Sequence, residues 1–105
     1  MSLFPPPKDV KTEIFARVPD EFRNSGGRPS WGEANIPGRD IGCFLEGPSF
    51  DSEGNLYLVN IPYGEIFKVT SSANFSLVAQ YDGWPNGLKV DREGNLIIAD
   101  YKRGI

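Results

Sequence analysis

Short apolar runs separated by turns rich in Gly, Asn and Asp dominate the second half of the chain. One such run leads into the turn Asp51–Asn55 and resumes over residues 56–59. Because the Gly in this turn can take positive φ, the pattern predicts a β-hairpin. A third strand is predicted over residues 65–69 and a fourth over 75–80, so that four strands form one antiparallel unit.

The hairpin pattern occurs twice. Residues 47–56 align without a gap with residues 87–96, at a spacing of 40 positions. The matched pairs are Asp51 and Asp91, Glu53 and Glu93, Gly54 and Gly94, Asn55 and Asn95, Leu56 and Leu96, and Gly64 and Gly104. A four-stranded unit of about 40 residues is the period of a β-propeller blade, whereas helical repeats of that length need apolar residues at a spacing near 3.6.

The fold class expected is therefore all-β, a β-propeller of four-stranded antiparallel blades. Roughly 160 to 320 residues are needed to close a propeller of four to eight blades. The 105 residues would hold about one and a half blades, and the second unit reaches Ile105 about where its third strand should begin. We therefore expect this chain to be a fragment of a larger propeller.

The first 43 residues follow a different pattern. Residues 12–18 predict one additional strand, and residues 19–43 contain several Gly and Pro residues without a sustained period, which predicts a long loop. Loops of this length are usually functional or disordered. We divide the chain into an N-terminal strand and long loop, residues 1–43, and a first blade and truncated second blade, residues 44–105.

Composition excludes several classes of function. With 14 acidic against 11 basic residues and no cluster of Lys and Arg, we expect no nucleic-acid partner. No apolar stretch approaches the roughly 20 residues of a membrane helix, and the N-terminus lacks the layout of a secretory signal. We therefore expect no membrane association and a cytoplasmic location.

Cysteine and histidine limit the chemistry further. Cys43 is the single cysteine and lies among apolar residues, which predicts a small buried or half-buried thiol rather than a nucleophile. One cysteine excludes an internal disulfide and a thiolate zinc cluster. Because the chain contains no histidine, Ser-His-Asp catalysis, Cys-His catalysis and His-based zinc sites are excluded within it.

The sequence Phe-Leu-Glu-Gly-Pro-Ser-Phe-Asp at residues 44–51 stands at the start of the first repeat, and Ile-Pro-Tyr-Gly-Glu-Ile follows at 61–66. With these motifs, most of residues 44–105 resembles the gluconolactonase, senescence-marker-protein-30 and luciferin-regenerating-enzyme family. The resemblance implies the N-terminal part of a six-bladed β-propeller. It also implies a metal-dependent lactonase-type hydrolase, a carboxylic ester hydrolase whose small-molecule substrate is a sugar lactone or related ester.

In that family the glutamate of this motif binds a divalent metal, commonly calcium, and the match transfers this role to Glu46. Carboxylate and carbonyl oxygens are the ligands that hard cations prefer, and such a metal can polarise a lactone carbonyl. The repeat spacing makes Asn86 the counterpart of Glu46, so we expect Asn86 to face the same cavity and bind substrate or metal-bound water. The remaining ligands are expected on further blades, so the chain alone should be inactive.

Other interpretations remain open. Glu46 before Gly-Pro can be a solvated turn residue, and Asn86 before Gly is a common turn signal. The Asp-x-Glu-Gly-Asn segments superficially resemble EF-hand calcium loops, but the required bidentate acid would fall on Pro62 and Lys102, so we interpret them as turns. The alternative functions are a non-catalytic β-propeller that serves as a binding or scaffold module, and a truncated product without activity.

Overall fold

The computed structural model describes residues 3–105 and consists mainly of two antiparallel β-sheets. The first sheet contains four strands that pair in chain order, β1 (Leu45–Phe50), β2 (Leu56–Asn60), β3 (Glu65–Val69) and β4 (Phe75–Gln80). The second sheet contains β5 (Pro85–Val90) and β6 (Leu96–Asp100). The expectation of an all-β fold is confirmed, and the third and fourth strands form at the predicted residues.

Helical structure is limited to short elements. A 3₁₀ turn at Asp20–Phe22 and the helix α1 (Ser30–Asn35) lie within the segment that was predicted to be a long loop. A second 3₁₀ turn, Ile61–Tyr63, joins β2 to β3. Within residues 3–105, no helix has the length and apolar character needed to cross a membrane.

The 40-residue repeat of the sequence is also a repeat of the backbone. Strands β1 and β5 begin and end 40 positions apart, as do β2 and β6. In the first hairpin the Asp51 N–H donates to the Asn55 carbonyl oxygen at 3.0 Å, and in the second Asp91 N–H donates to Asn95 at the same distance. The glycine of each turn has positive φ, 83° and 86°. Equal spacing in the sequence therefore produces equal turn geometry.

A second pair of equivalent hydrogen bonds fixes the opposite end of each hairpin. The Phe44 N–H donates to Asn60 Oδ1 at 2.8 Å, and 40 residues later the Trp84 N–H donates to Asp100 Oδ1 at 3.0 Å. In both units the residue before the first strand is thus tied to the last residue of the second strand. An amide oxygen serves this purpose in one unit and a carboxylate oxygen in the other.

The hydrophobic core lies between the two sheets. Val59, Ile61 and Ile66 of the first sheet and its connections pack with Leu88 of β5, and all four are buried. Six partly buried side chains surround this cluster: Trp31, Tyr57, Trp84, Val90, Leu96 and Ile98. One face of the first sheet is therefore covered by the β5–β6 hairpin.

Strands β1 and β5 approach each other closely at Gly47. This residue has φ of +60°, and a Cβ added to it would lie 2.6 Å from the Asn86 carbonyl oxygen and 2.9 Å from the Leu88 nitrogen. A hydrogen bond from the Val90 N–H to Ser49 Oγ, at 3.2 Å, crosses between the same two strands. Only a residue without a side chain fits this contact, which sets the position of the second sheet on the first.

The strand predicted over residues 12–18 is wrong, because residues 11–19 have no regular secondary structure. Residues 13–16 and Val18 instead lie over the outer face of the first sheet, which is the face turned away from β5–β6. They border an apolar groove of about 360 Å³ with Leu45, Leu56, Leu58, Val69 and Phe75. Because this segment lies on the face of the sheet and not beside an edge strand, its backbone N–H and C=O groups cannot pair with a strand.

We expect Gly47→Ala to lower the free energy of unfolding by about 2 kcal/mol or more, because the added Cβ meets the β5 backbone at an unfavourable positive φ. The matched control is Gly87→Ala at the equivalent position, where φ is not positive and the nearest atom is the Ala99 Cβ at 3.6 Å. The control should change stability by less than about 1 kcal/mol. Urea unfolding of dilute protein, followed by tryptophan fluorescence, measures both; equal losses would contradict the close approach.

Candidate functional site

An open groove of about 460 Å³ lies where the start of β1 meets the outer face of the β5–β6 hairpin, the face turned away from the first sheet. Three segments and one further residue line it, namely Glu46–Pro48 of β1, Asn86–Lys89 of β5, Ile97 and Ala99 of β6, and Ile105. Its lining is apolar along β6 and polar near the starts of β1 and β5. A small organic molecule with both polar and apolar parts would match this distribution.

The structure brings Glu46 and Asn86 into this one groove. Both side chains are exposed, and each lies at a register shift in its hairpin, between Glu46 and Ser49 in the first and between Pro85 and Gly87 in the second. A β-bulge redirects a side chain relative to the regular pleat. A carboxylate and an amide beside these irregularities therefore line the same opening.

Among the side chains that line the groove, Glu46 contributes a carboxylate and Lys89 an ammonium group. Carboxylate and amide oxygens are ligands that a hard divalent cation accepts, so Glu46 and Asn86 fit such an ion in chemical type. Calcium takes about six to eight oxygens, which is more than two side chains supply. Residues 3–105 contain no group of three or more His, Cys, Asp or Glu that could hold a metal ion.

The segments that resemble calcium loops use their acidic oxygens within the turn. Asp51 Oδ1 accepts the N–H groups of Glu53 and Asn55, each at 2.9 Å, and Asp51 Oδ2 accepts the Asn55 side-chain amide at 2.9 Å. Asp91 makes the equivalent contacts in the second hairpin. These aspartates stabilise the turns, in agreement with the interpretation made from the sequence.

The Cys43 thiol is half-buried, which matches the prediction from its apolar neighbours. Burial raises the pKa of this thiol above its ordinary value. A thiol must be deprotonated to act as a nucleophile, so this environment does not favour reaction at Cys43.

Asp100, which sequence reasoning did not single out, organises the region beside Asn86. Its Oδ1 accepts N–H groups of Trp84, Lys102 and Arg103 at 2.7 to 3.0 Å, and its Oδ2 accepts the Tyr81 hydroxyl at 2.6 Å. Burial, together with this hydrogen bond, raises the pKa of the Tyr81 hydroxyl, so Tyr81 remains a donor.

One sequence signal could have identified Asp100. It stands 40 residues after Asn60, which makes the equivalent contact with Phe44. Asp100 also borders a smaller cavity, of about 270 Å³, together with Asn86 and Tyr101.

Each of the two tryptophans packs against another aromatic ring. Trp84 stacks on Tyr101 with ring centroids 5.9 Å apart, and the Lys102 ammonium lies 5.8 Å from the Trp84 ring. Trp31 packs against Phe44 at 5.0 Å. These contacts hold the ends of the two hairpins beside the groove.

Comparison of the chain with family models, curated proteins and solved structures finds no match. The internal repeat and the groove are thus the features of the molecule from which a function can be inferred.

The hydrogen bonds of the turns lead to a pH dependence of stability. The Asn55 amide holds the pKa of Asp51 below its ordinary value, and Asn95 does the same for Asp91. A carboxylate with a lowered folded-state pKa contributes stability above its unfolded pKa of about 3.9, and this contribution is lost as the pH falls through the folded value. We therefore expect Asp51→Asn with Asp91→Asn to flatten the decline in stability below about pH 4.

Urea unfolding midpoints at a series of pH values, followed by circular dichroism, measure this effect. Glu53→Gln is the matched control, because it removes an exposed acid from the same turn without removing a turn hydrogen bond to its side chain. A double variant that loses stability in acid as steeply as the unaltered chain would show that other groups cause the decline.

Proposed function

We propose that the chain forms the N-terminal part of a metal-dependent lactonase-type hydrolase built on a β-propeller, with a sugar lactone or related ester as substrate. The observation that carries the proposal is that Glu46 and Asn86, which are equivalent in the repeat, line one groove. In a propeller, the first strands of successive blades surround a common axis, and they bring equivalent positions to one cavity. A Glu-Gly-Pro motif that occurred in an isolated turn would give no reason for Glu46 and Asn86 to line the same groove.

The arrangement of strands supports the propeller part of the proposal. The first four strands form a single antiparallel sheet in chain order, as in a blade. The next hairpin begins a second sheet, stacked face to face on the first, and does not extend it. The close contact between β1 and β5 at Gly47 is the kind of contact expected between neighbouring inner strands near a propeller axis.

In this proposal Glu46 binds a divalent cation, most simply calcium, through its carboxylate. When bound, such a cation would polarise the carbonyl of a lactone and favour attack by water. The Asn86 amide can donate a hydrogen bond to a substrate oxygen from the opposite side of the groove. Ile97 and Ala99 offer apolar contact for the carbon framework of the substrate.

Two oxygen-bearing side chains bind calcium weakly, so the chain by itself is expected to lack hydrolase activity. Further ligands would come from additional blades of the complete protein.

We expect the chain to bind calcium with a Kd on the order of 1 mM and Glu46→Gln to weaken this binding at least about fivefold, because one anionic ligand is lost. Glu53→Gln is the control with the same change of charge, at an exposed position away from the groove. Isothermal titration calorimetry with calcium chloride measures both. Equal affinities for the two variants would place any binding outside the groove.

In the complete protein, Glu46→Gln should lower kcat/KM for a sugar lactone at least about 100-fold, with added calcium restoring only part of the loss. Lactone opening releases an acid, so a pH-stat follows it directly. Calcium binding at Glu46 without lactone hydrolysis in the complete protein would instead support a non-catalytic binding module. An unchanged kcat/KM in the Glu46→Gln variant would contradict the proposed mechanism.

A further inference from the structure

A series of side-chain hydrogen bonds crosses the first sheet at the end where β1 begins. The Glu65 carboxylate of β3 accepts the Asn60 side-chain amide of β2 at 2.6 Å through Oε2. Its other oxygen, Oε1, accepts the Gln80 side-chain amide of β4 at 3.5 Å. Asn60 in turn accepts the Phe44 N–H through Oδ1 at 2.8 Å. These four residues, which we call the relay, connect β4 with the residue that precedes β1.

The relay is buried at its centre. Asn60 is fully buried and Glu65 is 7% exposed. Within residues 3–105, Glu65 forms no salt bridge. A buried carboxylate without a cationic partner is costly and is stabilised only by its hydrogen-bond donors. The hydrophobic packing of the sheet therefore does not explain why these two positions are polar.

Glu65 fixes the direction in which the Asn60 amide points. A carboxylate can only accept hydrogen bonds, whereas a side-chain amide has a donor end and an acceptor end. The amide nitrogen of Asn60 therefore turns to Glu65, and the amide oxygen turns to the Phe44 N–H. If the amide were reversed, its NH₂ group would meet that N–H, and the bond to Phe44 would be lost.

The second repeat makes the equivalent contact with a different pair of residues. The positions 40 residues after Asn60 and Glu65 are Asp100 and Ile105. Asp100 accepts the Trp84 N–H directly through a carboxylate oxygen. Both oxygens of a carboxylate are acceptors, so this residue needs no partner to orient it. An acid thus accompanies the amide of the first unit, and isoleucine replaces that acid where the contact is made by a carboxylate.

The relay ends two residues before Glu46, which lines the candidate site. Glu46 pairs with Val59 of β2, and the register of β1 shifts between Glu46 and Ser49. The regular pairing that fixes the direction of β1 at Glu46 therefore lies on its N-terminal side. On that side, Asn60 holds the Phe44 N–H.

We propose that Glu65 and Asn60 are positioning residues for Glu46. The inference rests on the proposed function, because it takes Glu46 as a ligand of a divalent cation. By orienting Asn60, Glu65 secures the bond to the Phe44 N–H, and this bond holds the strand from which the Glu46 carboxylate reaches the groove. Neither Glu65 nor Asn60 lines the groove, so both act through Phe44 and not by contact with the cation.

Two double variants separate positioning from packing. The apolar variant, Asn60→Leu with Glu65→Met, removes the relay but keeps side chains of similar volume. The transposed variant, Asn60→Asp with Glu65→Gln, exchanges the amide and the carboxylate, so that each hydrogen bond of the relay keeps one donor and one acceptor. Urea unfolding midpoints establish that both variants are folded.

Hydrogen exchange at the Phe44 amide, followed by NMR, measures the relay directly. The exchange rate should rise at least about fivefold in the apolar variant, because one hydrogen bond is lost, and by less than about twofold in the transposed variant.

Calcium titration by calorimetry measures the effect on the site. The Kd should rise at least about threefold in the apolar variant and less than about twofold in the transposed variant. Glu53→Gln is the control for the loss of one negative charge, since Glu53 is exposed and lies outside the groove. A purely structural role of the relay would leave calcium affinity unchanged in any variant that folds as stably as the unaltered chain.

Three results would overturn the proposal, and each identifies a different failure. If Glu46→Gln weakens calcium binding but the apolar variant does not, Glu46 is a ligand and the relay does not position it. If the transposed variant loses as much affinity as the apolar variant, the two side chains act by a route other than the Phe44 N–H. If the unaltered chain binds no calcium, the proposed function fails first, and the relay has no ligand to position.

Discussion

The close approach of β1 to β5 at Gly47 is the contact on which the rest of the structure depends. It allows two sheets with no backbone ladder between them to pack at a fixed distance, because a backbone carbonyl occupies the space that a side chain would fill. The core around Val59 and Leu88 closes as a result. The groove containing Glu46 and Asn86 lies beside this same contact, so packing and the candidate site have a common origin.

The hairpins could be predicted because their determinants are local. Asp51 and Asn55 contain the hydrogen-bonding groups of their own turn, and the same residue types at 91 and 95 produce the same geometry. The supposed strand at 12–18 could not be judged in this way. Its β-branched and aromatic residues suit a strand, but whether a strand forms depends on a free edge elsewhere in the fold. Likewise, α1 has only six residues, too few to show a helical period.

The site was only partly predictable. The repeat spacing related Asn86 to Glu46, and the structure places both at bulges that open on one groove. Their separation and the number of further oxygens near them depend on packing between sheets, which no local pattern encodes. Asp100 was missed for another reason. Its contacts with the backbone N–H groups of Lys102 and Arg103 depend on the course of the loop that follows β6.

The placement of residues 13–18 over the first sheet has a consequence for the order in which the chain folds. Hairpins with five-residue turns close within about 1–10 μs, since their partners are near in sequence. The N-terminal segment borders a groove together with Leu56, Val69 and Phe75, which lie tens of residues away, and it has no regular secondary structure. We therefore expect this segment to reach its native position last during folding and to unfold locally first. A protease would then cleave the chain in this segment before it cleaved either sheet.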